Sequence, residues 1–246
     1  MKAIVQKSYG SLETLGYEEV PKPSPGPGEV LVRVEATSVH PDIWHVIYGH
    51  PFMLRFMGNG LRRPKKSIPG TDVAGVVEAF GPGVSTLSPG DEVFGECVRG
   101  HQWKNGGSYA EYVCAPAENL AIKPANTSFE AAAAVPTSAY VALQGLQDEG
   151  NLQAGQRVLI NGAGGGVGTF AVQIAKAQGA TVTAVDHTDK LATLEEIGAD
   201  VVIDYTREDF TRRDHRFDLI LDIPGNYPFR RCRRVLEPHG TYVLIF

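Results

Sequence analysis

No run of apolar residues in this sequence is long enough to cross a bilayer. The opening MKAIVQKSYG also lacks the cationic segment followed by an apolar one that marks a secretory leader. Cysteine is sparse. Cys97, Cys114 and Cys232 stand far apart with no CxxC spacing, which argues against a disulfide framework and offers no zinc-binding lobe, so all three read as buried thiols. A basic excess is missing too. Lys and Arg number 23 against 28 Asp and Glu, for a net charge of −5, so no nucleic-acid partner held by phosphate neutralisation is expected. These absences leave a cytoplasmic globular protein as the expectation, with neither membrane nor nucleic acid as partner. At 246 residues and 43% apolar, the chain has room for two modest domains or one large one.

What is present is organised around Arg157 to Ala180, RVLINGAGGGVGTFAVQIAKAQGA. The apolar Val158-Leu159-Ile160 leads into a run from Gly162 to Gly168, and a helix-period segment follows with Phe170, Ala171, Ile174 and Ala175 on one face. Strand, glycine turn and helix in that order let backbone amides approach a pyrophosphate, because no Cβ blocks the anion and the helix dipole favours negative charge there. Gly164, Gly165, Gly166, Val167 and Gly168 are the expected cradle. The next strand, Thr181 to Val185, ends in Asp186, an acid about 20 residues past the turn, where an adenosine ribose is gripped.

Residues 1–123 read as mostly β. Val30, Val32, Val34 and Ala36 alternate with Leu31, Arg33 and Glu35, a second strand runs from Val73 to Phe80, and Pro89-Gly90-Asp91 turns into Glu92 to Gly95. A compact barrel-like domain is predicted. Pro51 to Ser67 sets Phe52, Met53, Leu54, Phe56 and Met57 beside Arg62, Arg63, Lys65 and Lys66, and reads either as a loop or irregular helix over a cleft or as a solvated basic stretch beside an apolar cluster. From about 124 to 246, strands alternate with helices, which implies a parallel sheet covered on both faces. Thr127 is the predicted cap of the first helix, with Glu130 closing a capping box, and Gly198 stops the helix near Asp189 to Ile197. Arg230, Arg231, Arg233 and Arg234 read as a solvated face.

The whole length resembles the medium-chain dehydrogenase/reductase family, in its zinc-free quinone oxidoreductase, or zeta-crystallin-like, branch. The resemblance is carried by MKAIVQ, PGPGEVLVRVEATSVHPDIW, PGTDVAGVVEAFGPGV, PGDEVFGE, GGSYAEYV, the glycine-turn unit and GADVVIDY. It implies an α/β chain: a GroES-like β-rich substrate domain over 1–123, then a Rossmann doubly wound parallel sheet over 124–246, with the active site between them. Zinc-dependent members place a cysteine where this chain has His40 and a GHE histidine where it reads Gly70-Thr71-Asp72, so the resemblance implies no metal. It implies reduction of a small enone, enal or quinone, hydride going from NAD(P)H to the β-carbon and a proton to the α-carbon. Alcohol oxidation or aldehyde reduction, and a nucleotide-binding sensor or structural protein without turnover, are the rivals.

Branch members usually carry asparagine at the position of His40, close to the nicotinamide, and His40 is the first catalytic candidate, with a packed polar residue as the alternative. Tyr48 and His45 follow on the same loop, and Asp42 orients a neighbour or caps a helix. Relatives often read CSTR at the end of the second Rossmann strand to hold a 2′-phosphate, whereas this chain reads Asp186-His187-Thr188-Asp189. A carboxylate at Asp186 repels that phosphate, which favours NAD(H) over NADP(H). Lys190 and Tyr205 match residues that lie by the phosphate and the adenosine. The family continues for several dozen residues past the strand at Thr241 to Ile245 and this chain stops at Phe246, so a truncated sheet without its usual homodimer edge is expected.

Overall fold

The computed structural model describes residues 1–56, 60–100 and 103–245, and the chain falls into two units, Met1–Thr137 and Ser138–Phe246. In the first, β1 (Lys2–Gln6) and β2 (Leu15–Glu19) form an antiparallel pair. Strands β3 (Glu29–Ala36), β4 (Asp72–Phe80), β5 (Glu92–Glu96), β6 (Tyr112–Pro116) and β7 (Leu120–Ile122) form an antiparallel sheet in the order β6-β3-β4-β5-β7. The alternation in β3 buries Val30 and Val32 against Val73, Val77, Val93 and Val113, so one face of the sheet is a valine-rich core completed by Leu87, Cys97 and Ala115.

Helix α1 (Asp42–Tyr48) follows β3 and places Ile43, Val46 and Ile47 inward, leaving Trp44 and Tyr48 on the opposite side. His45 and Tyr48 therefore lie on a helix, where a loop was expected; three apolar residues spaced for one helical face outweigh the aromatic propensity of the segment. The helix stops at Gly49, whose φ of +65° and crowding by the Tyr9 ring both require glycine. Beyond it Leu54 is buried while Phe52, Met53 and Phe56 are exposed, and residues 60–67 form neither helix nor strand. Met57 lies outside the described residues.

Helix α2 (Phe129–Ala133) is capped by Ser128, whose hydroxyl accepts the Ala131 amide at 3.2 Å, and not by Thr127. The Thr127 amide is taken by a turn on the Pro124 carbonyl, which leaves Ser128 as the first residue with the extended backbone a cap requires. Ala132 and Ala133 pack on Ala74 of β4, so the first unit extends past residue 123.

The second unit contains α3 (Pro136–Leu143, from Ser138 onward), β8 (Arg157–Asn161), α4 (Gly166–Ala177), β9 (Thr181–Asp186), α5 (Leu191–Glu196), β10 (Val201–Asp204), β11 (Phe217–Asp222), α6 (Phe229–Cys232) and β12 (Leu236–Leu244). Its strands pair in parallel in the order β10-β9-β8-β11-β12. Strand β8 is apolar on both faces: Val158 and Ile160 meet Ala171, Val172 and Ala175 of α4, whereas Leu159 meets Phe210, Cys232 and Val235 on the other side. The chain crosses from β8 to β9 and β10 on one side and then returns to β11 and β12 on the other. The direction of winding thus reverses between β8 and β11, the place where such sheets take ligands.

Candidate functional site

Each of four neighbouring strands ends in a polar residue: Asn161 on β8, Asp186 on β9, Asp204 on β10 and Asp222 on β11. Parallel pairing sets Asp186 beside Asp204 and Asn161 beside Asp222, so the carboxyl edge of the sheet carries a row of hydrogen-bonding groups at its reversal point. Asp186 was legible in the sequence. Asn161, Asp204 and Asp222 were missed, although each is an Asx residue closing an apolar run, a signal that could have found them.

The turn after β8 is shaped by β9. The amides of Gly162 and Ala163 both donate to the Val185 carbonyl, and the Gly164 amide donates to the Asp186 carboxylate at 2.7 Å. The other Asp186 oxygen accepts the His187 amide at 2.8 Å and lies 3.4 Å from the Lys190 ammonium. Gly168 permits close packing, since a Cβ there would stand 2.3 Å from the Gly162 carbonyl oxygen. Gly164 is similarly closed in by the Lys190 side chain.

Gly165 is different. It has φ −87° and a Cβ on it would come no nearer than 3.5 Å to the Gly162 oxygen, so neither strain nor crowding demands glycine. What its missing side chain provides is open space in front of α4. Gly165 is the N-cap and supplies no side-chain acceptor, Gly166 begins the helix exposed, and Val167 turns back into the core. The first amides of a helix have no i−4 carbonyl, so this end offers donors and positive potential to an anion. These residues fit the diphosphate of a dinucleotide on geometry alone.

Beside the turn, the His187 and Tyr205 rings meet edge to face at 5.9 Å, and the Tyr205 amide donates to the Asp186 carbonyl at 3.2 Å. Asp204 anchors this rim. It accepts the Thr206 amide and hydroxyl at 2.9 and 2.6 Å and the Thr188 hydroxyl, and these bonds, that of Thr188 foremost, hold its carboxyl down at about 2. The structure thus gathers Gly164, Gly165, Asp186, His187, Lys190 and Tyr205 at one edge. At the reversal point, fully buried Asp222 accepts Asn161 Nδ2 at 2.8 Å, the Gly225 amide at 3.1 Å and the Tyr242 hydroxyl at 2.7 Å.

In the first unit, His40 is 7% exposed and its Nε2 is 2.8 Å from the Thr71 hydroxyl, while Nδ1 is 3.7 Å from Asp42 and makes no hydrogen bond. Asp72, next to Thr71, is buried and accepts the hydroxyls of Ser38 and Thr137, each at 2.6 Å. Burial, with Asp72 nearby, pushes the Tyr109 phenol up to about 12, and its hydroxyl donates to the Ser38 carbonyl at 3.0 Å. Asp42 does not cap α1: Pro41 is the N-cap, without a side-chain bond. Tyr48 sits at the C-terminal end of α1, stacked on Trp44 at 5.3 Å. Among the described residues, no group of three or more His, Cys, Asp or Glu side chains is placed to hold a metal, and no helix is long and apolar enough to cross a membrane.

Comparison with known proteins places these features in a family. Residues 26–125 match the family model described as alcohol dehydrogenase GroES-like domain, and residues 166–245 match the one described as zinc-binding dehydrogenase. The chain is 35% identical over 253 residues to a 2-methylene-furan-3-one reductase of Solanum lycopersicum, covering 100% of this chain and 62% of the relative. It is 34% identical to a chloroplast envelope quinone oxidoreductase homolog of Arabidopsis thaliana, covering 99% of this chain and 74% of the relative, a name that lends no support to a cytoplasmic location. A mycobacterial protein solved in complex with NADPH superposes with a TM-score of 0.83 at 29% identity, covering 99% of this chain and 73% of that one. The chain spans about three fifths of the length of the first of these relatives. From its GroES-like antiparallel sheet to its parallel sheet wound about a glycine turn, the chain belongs to the medium-chain dehydrogenase/reductase family, in its quinone oxidoreductase branch.

Proposed function

We propose that this protein is a zinc-independent, NAD(P)H-dependent oxidoreductase that reduces the activated double bond of a small enone or enal, or a quinone. The observation that carries the reading is the open N-terminus of α4, kept free by Gly165 and framed by Asp186, which suits a dinucleotide diphosphate. Relatives named as enone and quinone reductases support the substrate class.

A bound nicotinamide would supply hydride; the chain's own residues bind, orient and polarise. The amides of Gly166 and Val167 hold the diphosphate, the Asp186 carboxylate takes the adenosine ribose, and Tyr205 with His187 flanks the base. The Lys190 ammonium lies 3.4 Å from Asp186 and is half exposed at the rim. We favour NAD(H), because a 2′-phosphate dianion beside the Asp186 carboxylate is repelled. NADP(H) is the second reading, favoured by the position of Lys190 and by the NADPH complex of the mycobacterial relative. His40 takes the catalytic role: its imidazole, seated against Thr71, polarises the substrate carbonyl by hydrogen bonding. The zinc-independent reading is supported by the Thr71 hydroxyl facing His40, where zinc-dependent relatives carry a second ligand.

Oxidation of NADH and NADPH in the presence of enones, enals, quinones and aldehydes tests the activity. Turnover confined to aldehydes sinks the double-bond reading, and tight nucleotide binding without turnover turns the protein into a nucleotide-binding module. For the nucleotide preference, fluorescence titration of Asp186→Ser should raise the affinity for NADPH relative to NADH about tenfold, one removed charge repulsion of roughly 1.4 kcal/mol. An unchanged ratio removes Asp186 from that role.

A further inference from the structure

The basic stretch at residues 62–66 borders a cavity of about 250 Å³ in the first unit. Tyr9, Val46 and Pro64 form the apolar part of its lining, and Lys65, Lys66 and Lys104 supply charge of one sign. No carboxylate lines it, and Arg62, Arg63, Lys65 and Lys66 make no ion pair among the described residues, in a chain whose net charge is −5. Burial, and then the charge of Lys66, hold the Lys104 ammonium below its ordinary range, so these lysines stand close enough to repel. Lys104 itself donates to the Arg99 carbonyl.

The lining also contains Asn105, 4% exposed. Its Nδ2 donates to the Gln6 side chain at 3.0 Å and to the Lys66 carbonyl at 2.7 Å, but its Oδ1 is buried without a partner. That oxygen can only accept, so an anion gains nothing from it; Asn105 serves the cavity through Nδ2, which fixes the Lys66 backbone. Val46 projects from the face of α1 opposite Trp44 and Tyr48, which sets this cavity apart from the aromatic face of that helix.

We infer that this cavity is a binding site for a small amphipathic anion, an aryl or short acyl carboxylate whose apolar body lies on Tyr9, Val46 and Pro64 and whose charge is held by Lys65, Lys66 and Lys104. The volume falls just below the ~300 Å³ lower end for drug-sized ligands, which selects something of single-ring size. An apolar wall with several cations and no anion binds neither a bare ion, which gains nothing from the wall, nor a neutral ring, which leaves the ammoniums repelling one another.

The test uses benzoate, with benzyl alcohol and acetate as the neutral and the non-aromatic controls. The protein's two tryptophans are Trp44, on the helix that carries Val46, and Trp103, next to Lys104, so intrinsic fluorescence reports binding. Benzoate should give a saturable change at least tenfold tighter than either control, and Lys66→Gln and Lys104→Gln should each weaken it about tenfold, the loss of one charge-assisted hydrogen bond. Benzoate should also slow acetylation of Lys104 by acetic anhydride, read by mass spectrometry. Equal binding of benzyl alcohol and benzoate, full affinity in the Lys66→Gln, Lys104→Gln double variant, or unprotected Lys104 each overturns the assignment. These readouts need neither nucleotide nor turnover, so they stand apart from the fate of the reductase proposal.

Discussion

His40 and Thr71 are joined side chain to side chain at 2.8 Å across 31 positions of sequence, with the imidazole 7% exposed. If the ring polarises substrate, His40→Ala lowers kcat by on the order of 10²-fold while leaving nucleotide affinity and the melting midpoint nearly unchanged. A packed polar residue gives the reverse pattern, a lower midpoint with kcat intact. Steady-state kinetics and a thermal melt on the same preparation separate the two outcomes.

Gly168→Ala and Gly165→Ala make a paired prediction. At 168 the added Cβ meets two backbone oxygens, of Gly162 and Ala163, at 2.3 and 2.5 Å, and backbone cannot move aside as a side chain can. Overpacking of about 1–3 kcal/mol therefore exceeds the ~1 kcal/mol that alanine gains in helix propensity, and the melting midpoint falls. At 165 the methyl makes only an ordinary contact, 3.5 Å from the Gly162 oxygen, so the midpoint holds and NAD(P)H affinity drops. Equal loss of nucleotide affinity without any loss of stability in both variants contradicts this division of labour.

Acid stability depends on Asp204. Its carboxyl titrates near 2 in the folded protein against 3.8 ordinarily, because Thr188 and Thr206 donate to the ionised form. The sign follows from linkage: the contribution is complete above about pH 4 and fades as pH falls toward 2. Urea midpoints measured from pH 5 to pH 2 should fall less steeply in Asp204→Asn than in the parent protein. Parallel curves would show that this carboxylate is not the titrating group.

Asp222→Ala removes the common acceptor of Asn161, Gly225 and Tyr242 and leaves buried donors without partners. A loss of roughly 2–5 kcal/mol in chemical denaturation is expected, against about 1 kcal/mol for Tyr242→Phe, which removes one donor and keeps the carboxylate satisfied by the others. Burial, and then the bond to Asp222, hold the Tyr242 phenol above its ordinary range, so this hydroxyl stays a donor across the physiological pH range.

The parts of the fold legible in the sequence are those fixed by local pattern. Valines at every second position gave β3, and the run from Val158 through Gly168 gave strand, turn and helix, because each is decided by neighbours along the chain. The Ser128 cap was misread by one residue since Thr127 carries an equivalent hydroxyl, and only the turn on Pro124 discriminates between them. The segment carrying His45 and Tyr48 reads as a loop in sequence, whereas its three inward apolar residues make it α1. The Asn161–Asp222–Tyr242 cluster joins residues 61 and 20 positions apart, and such partners meet only after parallel strands have found their register.

The glycine bend after β8 owes its shape to groups 22 positions later in the chain, the Asp186 carboxylate that takes the Gly164 amide and the Val185 carbonyl just before it. A peptide running only from Arg157 to Ala180 would carry every letter of the motif without the acceptors that set its contour. Binding of the proposed dinucleotide would consequently double as a gauge of whether β9 has aligned on β8, and ligand added during refolding should draw the chain toward that pairing by mass action.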